Sequence, residues 1–292
     1  MSGKVDLHIH TTASDGTVSP EAAVELAYVQ GLKAIAITDH DTVSGCTAAM
    51  ERGKELGVEV MQGLEISTKF KAAVHILGYG MELDSPVLTK TMDWEVHDRD
   101  ARNEKICALM AADGIPIRYE QMRARFGTVI GRPHFARILA EQGIAEDMAD
   151  AFRRYVNRGG IYYVPRNMLT IEQAIEVITG SGGIAVLAHP FQYKLEEVEL
   201  RELIERCTAA GLRGMECRYT GYDERQCACL EALAQEYGLI RTGGSDFHGA
   251  NKPQIEMGSD HGELNVPYEW FEILKEEVQA NKKIINMESI KE

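Results

Sequence analysis

Short apolar, β-branched runs alternate along the chain with longer stretches whose apolar positions recur at helical spacing. Residues 4–9 read as a strand, and 20–30 as a helix opened by Ser19 at the N-cap with Pro20 in the first helical position. The run KAIAIT (33–38) predicts a buried strand, 45–56 a helix and 58–63 a third strand. VHILGYG, which begins at Val74, is strand-like. Beyond Gly182 and Gly183 the pattern resumes: strand 184–188 (IAVLA), helix 196–210, strand 213–218, helix 223–237 and strand 240–243. This alternation implies a parallel sheet covered by helices, either an open doubly wound sheet or a closed barrel. From 85 to 163 there is little strand signal, and helices are predicted over 88–113, 134–142 and 146–156. The chain therefore divides into a barrel made of 1–84 and 164–292, interrupted by a helical insertion at 85–163. The tail after Asn281 is short and charged and is predicted to fray.

Placing polar residues on this pattern favours the barrel. His8 and His10 stand two apart at the end of the first strand, so their side chains share a face. Asp15 lies in the following loop, His40 follows the second strand in TDHD, and Glu65 follows the third in GLE. His75 sits in VHILGYG, His189 ends IAVLA, and Asp246 and His248 end IRTGG. In a β/α barrel the strand ends form one rim, where active sites assemble. Imidazoles and carboxylates crowded there need a cation, and mixed N/O donors suit Zn, Mn or Fe better than Mg or Ca. Asp39 and Asp41 flank His40 as orienting groups or caps. Glu216, also at a strand end, either lines the site or is structural.

Composition removes several classes. With 45% hydrophobic and 26% charged residues the chain is neither disordered nor collagen-like. No apolar run approaches the ~18 residues of a membrane span, and the N-terminus lacks a secretory core, so a cytoplasmic location with six reduced cysteines is expected. Cys227 and Cys229 alone make a poor zinc motif. The formal charge of −14 argues against a broad nucleic-acid-binding face. It is unevenly spread. Between Asp98 and Arg166 lie 12 of the 31 Lys+Arg and 9 of the 45 Asp+Glu, so that stretch is +3 and the remainder −17.

The ordered set HxH, Asp15, TDHD, GLE, VH, AHP and GSDFH resembles the PHP (polymerase and histidinol phosphatase) family across essentially the whole chain. The resemblance implies a distorted (β/α)7 TIM-like barrel with a trinuclear centre of divalent ions, Mn²⁺ foremost, with Fe²⁺ or Zn²⁺ as alternatives. One ion would be held by His8, His10, Glu65 and Asp246. A second would use Glu65, His75 and His189, and a third Asp15, His40 and His248. The insertion, with GRPHFARIL, DAFRRYV and GGIYYVP, is similar to the branch containing nucleotide 3′,5′-bisphosphate phosphatases and RNase AM. That similarity implies a phosphate contact for Arg132 and a neighbouring role for His134. Arg158 is the cation nearest to a lysine of that branch, in a different local register.

The implied activity is hydrolysis of the 3′-phosphate of nucleoside 3′,5′-bisphosphates, or 5′–3′ trimming of short 5′-monophosphorylated RNA, with a metal-bridging hydroxide as nucleophile. No covalent protein nucleophile is expected, because Cys46 and Ser67 lack a base-and-orienter arrangement. Phe135, Tyr162, Tyr163, Phe191 and Tyr193 are available to stack on a base or simply to pack. Arg153 and Arg154 read as a solvated helix face. The competing readings are a histidinol-phosphate-type or general small-molecule phosphatase, a non-catalytic metal-stabilised scaffold, and a proofreading module for a separate polymerase. Neither a membrane nor long duplex DNA is an expected partner.

Overall fold

The structure is a computed structural model describing residues 3–71, 73–259 and 264–289. β1 (Lys4–Ile9) is buried at every position after its first, as befits a strand covered on both faces. α1 (Pro20–Val29) starts where Ser19 accepts the Ala22 N–H and leads to the wholly buried β2 (Ala34–Ile37). α2 (Cys46–Leu56) stops at Gly57, whose φ of 75° makes the left-handed cap that glycine permits. β3 (Glu59–Lys69) runs well past the predicted 58–63 and turns back into β4 (Ala73–Tyr79).

The helical middle comprises α3 (Pro86–Ala112), α4 (Tyr119–Phe126), α5 (Arg132–Glu141) and α6 (Met148–Ala151), the last continuing into a π-type turn over Phe152–Val156. α7 (Ile171–Gly180) opens on a capping box between Thr170 and Gln173. β5 (Ile184–Leu187), α8 (Glu197–Ala209), β6 (Gly214–Tyr219), α9 (Glu224–Glu236) and β7 (Ile240–Gly244) complete the alternation. Two-residue β8 (Val266–Pro267) and α10 (Tyr268–Ser289) follow.

The strands are ordered β7-β6-β5-β4-β3-β2-β1-β8. All neighbours are parallel except β4, which opposes both β3 and β5, and β8, which opposes β1. The parallel expectation is thus corrected at β4. Only residues 70–72 link it to β3, too few for the crossover that a parallel neighbour needs. The reversal brings the start of β4, with His75 opposite Ser67, to the rim where β3 and β5 end.

The barrel closes between β7 and β1. The Asp246 N–H donates to the His8 carbonyl at 2.9 Å and the His10 N–H to the Phe247 carbonyl at 2.9 Å. Buried Asp6 accepts from the Ser245 N–H (2.9 Å), the Ser245 hydroxyl (2.5 Å) and the Gly258 N–H (2.7 Å). At Gly244 a side chain would overlap the Cβ and nitrogen of His8, so only glycine allows this approach. β8 covers the far end of the seam by pairing Val266 with Val5.

α4, α7 and α10 are not foreseen above. α10 packs a buried stripe of Trp270, Phe271, Leu274 and Val278 against the barrel, is tied down by Asn281 Nδ2 donating to the Gly183 carbonyl at 2.8 Å, and continues through most of the tail predicted to fray. Residues 290–292 lie outside the described residues. α3 bridges two apolar clusters: Leu88 and Met92 join the barrel core, whereas Ile106 and Met110 pack with Met122, Phe135 and Leu139. Among the described residues no helix is long and apolar enough to cross a membrane.

Candidate metal centre and adjoining cavity

The nine residues converge at one end of the barrel, although Glu65 lies within the extended β3 and does not follow it, and His75 lies within β4. Glu65 stands in the middle. Its Oε2 is 3.5 Å from His8 Nε2, 3.4 Å from His10 Nε2 and 3.0 Å from His40 Nδ1. Its Oε1 is 2.9 Å from His75 Nδ1 and 2.8 Å from His189 Nε2. Asp246 Oδ1 lies 3.2 Å from His10 Nε2 and 3.3 Å from His248 Nδ1, and Asp15 lies 3.2 Å from His248 Nε2. Four overlapping groups have donor atoms within 4.8 Å of one another: His10, Asp15, His40 and His248; His8, His10 and Asp246; His8, Glu65 and His189; and His40, Glu65 and His75.

Burial works against charge here; it prevails at His75 and His248, whose imidazoles are lowered, and the neighbours overrule it at Glu65 and His8. Burial raises the Glu65 carboxyl, but His75, His40 and His8 hold it well below the usual carboxylate range. Burial lowers His8, but Glu216, Glu65 and Asp246 raise its imidazole well above the ordinary value. The carboxylates are thus ionised and want cations. His10 Nδ1 and His189 Nδ1 are buried without a hydrogen-bond partner. His8 Nε2 and His10 Nε2 face each other at 3.1 Å, and both lie within 3.5 Å of Glu65 Oε2. A divalent ion would compensate the crowded carboxylates and take the facing imidazole nitrogens as ligands, and the N/O donor set fits such an ion.

A surrounding layer aims these groups. Glu216 accepts a hydrogen bond from His8 Nδ1–H at 3.0 Å and from the His189 N–H at 2.8 Å, which leaves His8 Nε2 facing the centre. Asp39 accepts from the Thr11 N–H and hydroxyl (both 2.7 Å) and the Ser14 hydroxyl (2.6 Å), fixing the loop that carries Asp15. Asp41, His189 and Asp246 have φ of 50°, 27° and 56°, conformations that cost about 1–3 kcal/mol each. Hydrogen bonds hold all three in place, from the Asp41 N–H to the Glu65 carbonyl, the His189 N–H to Glu216 and the Asp246 N–H to the His8 carbonyl.

The sequence reading overlooked Tyr219, whose hydroxyl donates to Asp246 Oδ2 at 2.7 Å, and Lys252, whose Nζ lies 2.6 Å from the same oxygen. It also overlooked Asp6, although Asp6, His8 and His10 share a strand face at period two.

Beside His75 and Ser67 opens a cavity of about 390 Å³ lined by five arginines. Arg99 and Arg166 share the buried Asp41, and Arg166 also lies 2.9 Å from Glu95, whose carboxyl is pushed up to about 8 by burial and then by Asp41. Arg102, Arg132 and Arg158 have no carboxylate partner among the described residues. Arg132 binds Asn157 Oδ1 at 3.1 Å, and Arg102 reaches the Ile130 carbonyl at 3.4 Å. Arg102 is only 6% exposed. Burial, and then repulsion from Arg99, Arg166 and Arg132, pushes its guanidinium down to about 9. Its signal in the sequence was the three-residue spacing from Arg99 on one helix face.

Arg132 and Arg158 thus line one cavity, and His134 does not. Two helical positions differ by about 200° in direction, so His134 looks away from Arg132 and lines a separate groove. Of the aromatics, Tyr163 lines the arginine cavity. Phe135, Tyr162 and Tyr193 are buried, and Phe191 packs edge-on against Tyr222. The Cys46 thiol is pushed up to about 12 by burial and points at the Gly63 carbonyl, an inert arrangement. Arg153 and Arg154 pair with Asp150 on an exposed face.

A mixed α/β barrel with this cluster at its rim defines a class of metal-dependent phosphoesterases. The chain belongs to the PHP domain family, whose model matches residues 6–240. It is 38% identical over 257 residues to the 5′-3′ exoribonuclease Rnm of Escherichia coli, covering 87% of each chain. It is 31% identical over 257 residues to a 3′,5′-nucleoside bisphosphate phosphatase of Chromobacterium violaceum, covering 87% of this chain and 90% of the relative. A Bifidobacterium adolescentis protein assigned as a metal-dependent phosphoesterase superposes with a TM-score of 0.82 at 30% identity, over 92% of this chain and 94% of the other.

Proposed function

We propose that this chain hydrolyses the 3′-phosphate of nucleoside 3′,5′-bisphosphates and releases nucleotides from the 5′-phosphorylated end of RNA. The observation that carries the reading is the juxtaposition of the His/carboxylate cluster with a cavity holding three guanidiniums that lack carboxylate partners. One phosphate sits over the cluster and a second fills the cavity. The names of the exoribonuclease and bisphosphate phosphatase relatives support the same substrates.

His8, His10, Glu65 and Asp246 would hold one divalent ion, Glu65, His75 and His189 a second, and Asp15, His40 and His248 a third, with Mn²⁺ the expected metal. Bound divalent ions supply a water nucleophile at neutral pH and offset phosphoryl charge. The chain's own groups do the positioning. Arg132, Arg102 and Arg158 offer planar forks to the 5′-phosphate. Tyr163 supplies an aromatic wall for the nucleoside. Glu216 keeps His8 in one tautomer. The segment 85–163 acts as a cap that carries Arg102, Arg132 and Arg158 over the barrel.

Adenosine 3′,5′-bisphosphate and a 5′-phosphorylated tetraribonucleotide, offered to Mn²⁺-loaded protein, should yield phosphate and mononucleotide respectively. His8→Ala should abolish both, and Arg132→Ala should raise KM at least tenfold. Failure of metal-replete protein on both substrates would overturn the reading. Preferential hydrolysis of histidinol phosphate, indifferent to Arg132→Ala, would transfer it to a small-molecule phosphatase.

A further inference from the structure

Across the first turn of α5 from the arginine cavity lies a second groove, of about 380 Å³, between the 12–17 loop and helices α4 and α5. It adjoins the candidate metal centre along two walls. Ser14 and Gly16, which line it, flank Asp15, and His134, which also lines it, follows Pro133, which lines the mouth of the centre. Among the described residues no carboxylate lines this groove.

Its polar groups are arranged for an anion. His134 is 4% exposed, and its Nδ1 accepts the Gly131 N–H at 3.0 Å. The ring proton therefore resides on Nε2, which has no acceptor among the described residues. Arg125 takes both oxygens of Glu141 at 2.7 Å. Arg137 reaches that carboxylate only through Nε, at 2.9 Å, and its Nη atoms form no hydrogen bond among the described residues. Two guanidiniums against one carboxylate leave a net positive charge at the groove, with a donor pair, His134 Nε2 and Arg137 Nη, free to serve it.

We infer that this groove takes the phosphodiester downstream of the scissile bond, so that the site accepts a polynucleotide chain and not only a mononucleotide. The inference rests on the phosphoesterase reading above. A nucleoside 3′,5′-bisphosphate fills the arginine cavity and the centre and leaves the groove empty. A 5′-phosphorylated RNA places its first nucleoside in the same position and must continue past the centre. The groove is the adjoining space whose net charge and donors suit its next phosphate. His134 and Arg137 recognise the backbone, which makes the contact independent of sequence.

The test is Arg137→Glu, a substitution at an exposed position, with Arg137→Lys as the charge-keeping control. For the tetraribonucleotide, Arg137→Glu should lower kcat/KM at least tenfold, and Arg137→Lys should recover most of it. For adenosine 3′,5′-bisphosphate both variants should stay within about twofold of wild type. The log–log salt dependence for RNA should flatten by about 0.7, the share of one phosphate contact on a single strand. Equal losses on both substrates, or no loss on RNA, overturn the inference. So does a wild-type enzyme that hydrolyses the bisphosphate but not RNA. A wild type that hydrolyses neither fails at the earlier reading and takes this inference with it.

Discussion

Arg102→Met removes a buried cation while keeping an unbranched side chain. The guanidinium, ordinarily near 12.5, is pushed down to about 9 by burial and by its arginine neighbours. That gap corresponds to about 5 kcal/mol of unfavourable free energy in the charged form. The sign follows from the direction. A cation whose folded value lies below its unfolded value costs the full amount at any pH under about 9, and the cost fades as pH rises toward 12.5. At neutral pH the substitution therefore relieves all of it. Lost packing and the lost bond to the Ile130 carbonyl return about 2–3 kcal/mol. The net is a stabilisation of about 2–3 kcal/mol, or about 4–6 °C in Tm for a chain of this size. Thermal unfolding of chelator-treated protein in sulfate-free buffer reads this directly. Saturating sulfate, compared with chloride at equal ionic strength, should then stabilise wild type more than the variant, which loses at least half of the increment. kcat/KM on the bisphosphate falls at the same time, so the variant is more stable and less active. A variant that melts below wild type without sulfate and keeps the whole sulfate increment refutes the argument that Arg102 awaits an anion.

Glu216→Gln keeps the shape but removes the charge that fixes the His8 tautomer. Metal affinity by calorimetry should fall about 10–100-fold, and unchanged affinity would show that His8 is aimed by packing alone. Asp41→Asn leaves Arg166 with Glu95 and Arg99 with no carboxylate partner among the described residues. It should cost about 3 kcal/mol in chemical denaturation, and a loss below about 1 kcal/mol would mean that the network is solvated. Thiol titration of native protein should find Cys229 fast and half-buried Cys227 slow. Cys46, Cys107, Cys207 and Cys217 should stay silent until unfolding, since burial holds Cys46 and Cys207 up at about 12. Three or more fast thiols would contradict this packing.

Much of the barrel is local information. β1, β2 and β5 to β7, with α1, α2, α8 and α9, fall within a residue or two of their predicted places, because an apolar run or a helical stripe is visible within a few residues. The direction of β4 is not visible in this way, since VHILGYG alternates identically whichever way it runs. Its direction is decided by the short link to β3 and by its two neighbours. α7 does carry a local signal, the Thr170–Gln173 capping box in its first turn. α10 is helical because its stripe has a barrel to pack against.

The candidate site divides in the same manner. The sequence by itself determined which residues gather at the rim, because a β/α barrel sends the ends of its strands to one place and polar strand-end residues can be counted along the chain. It also determined that a basic stretch interrupts an acidic chain. Tertiary structure alone decided how those charges are used. Asp41 meets Arg99 across 58 positions and Arg166 across 125, and that pairing leaves Arg102, Arg132 and Arg158 as the arginines of the cavity without a carboxylate partner among the described residues. It likewise put His134 and Arg132 on opposite sides of one helical turn. Charge balance and facing depend on partners distant in the chain, and only the folded arrangement brings those partners within a few ångströms, where Coulomb and desolvation energies become large enough to matter.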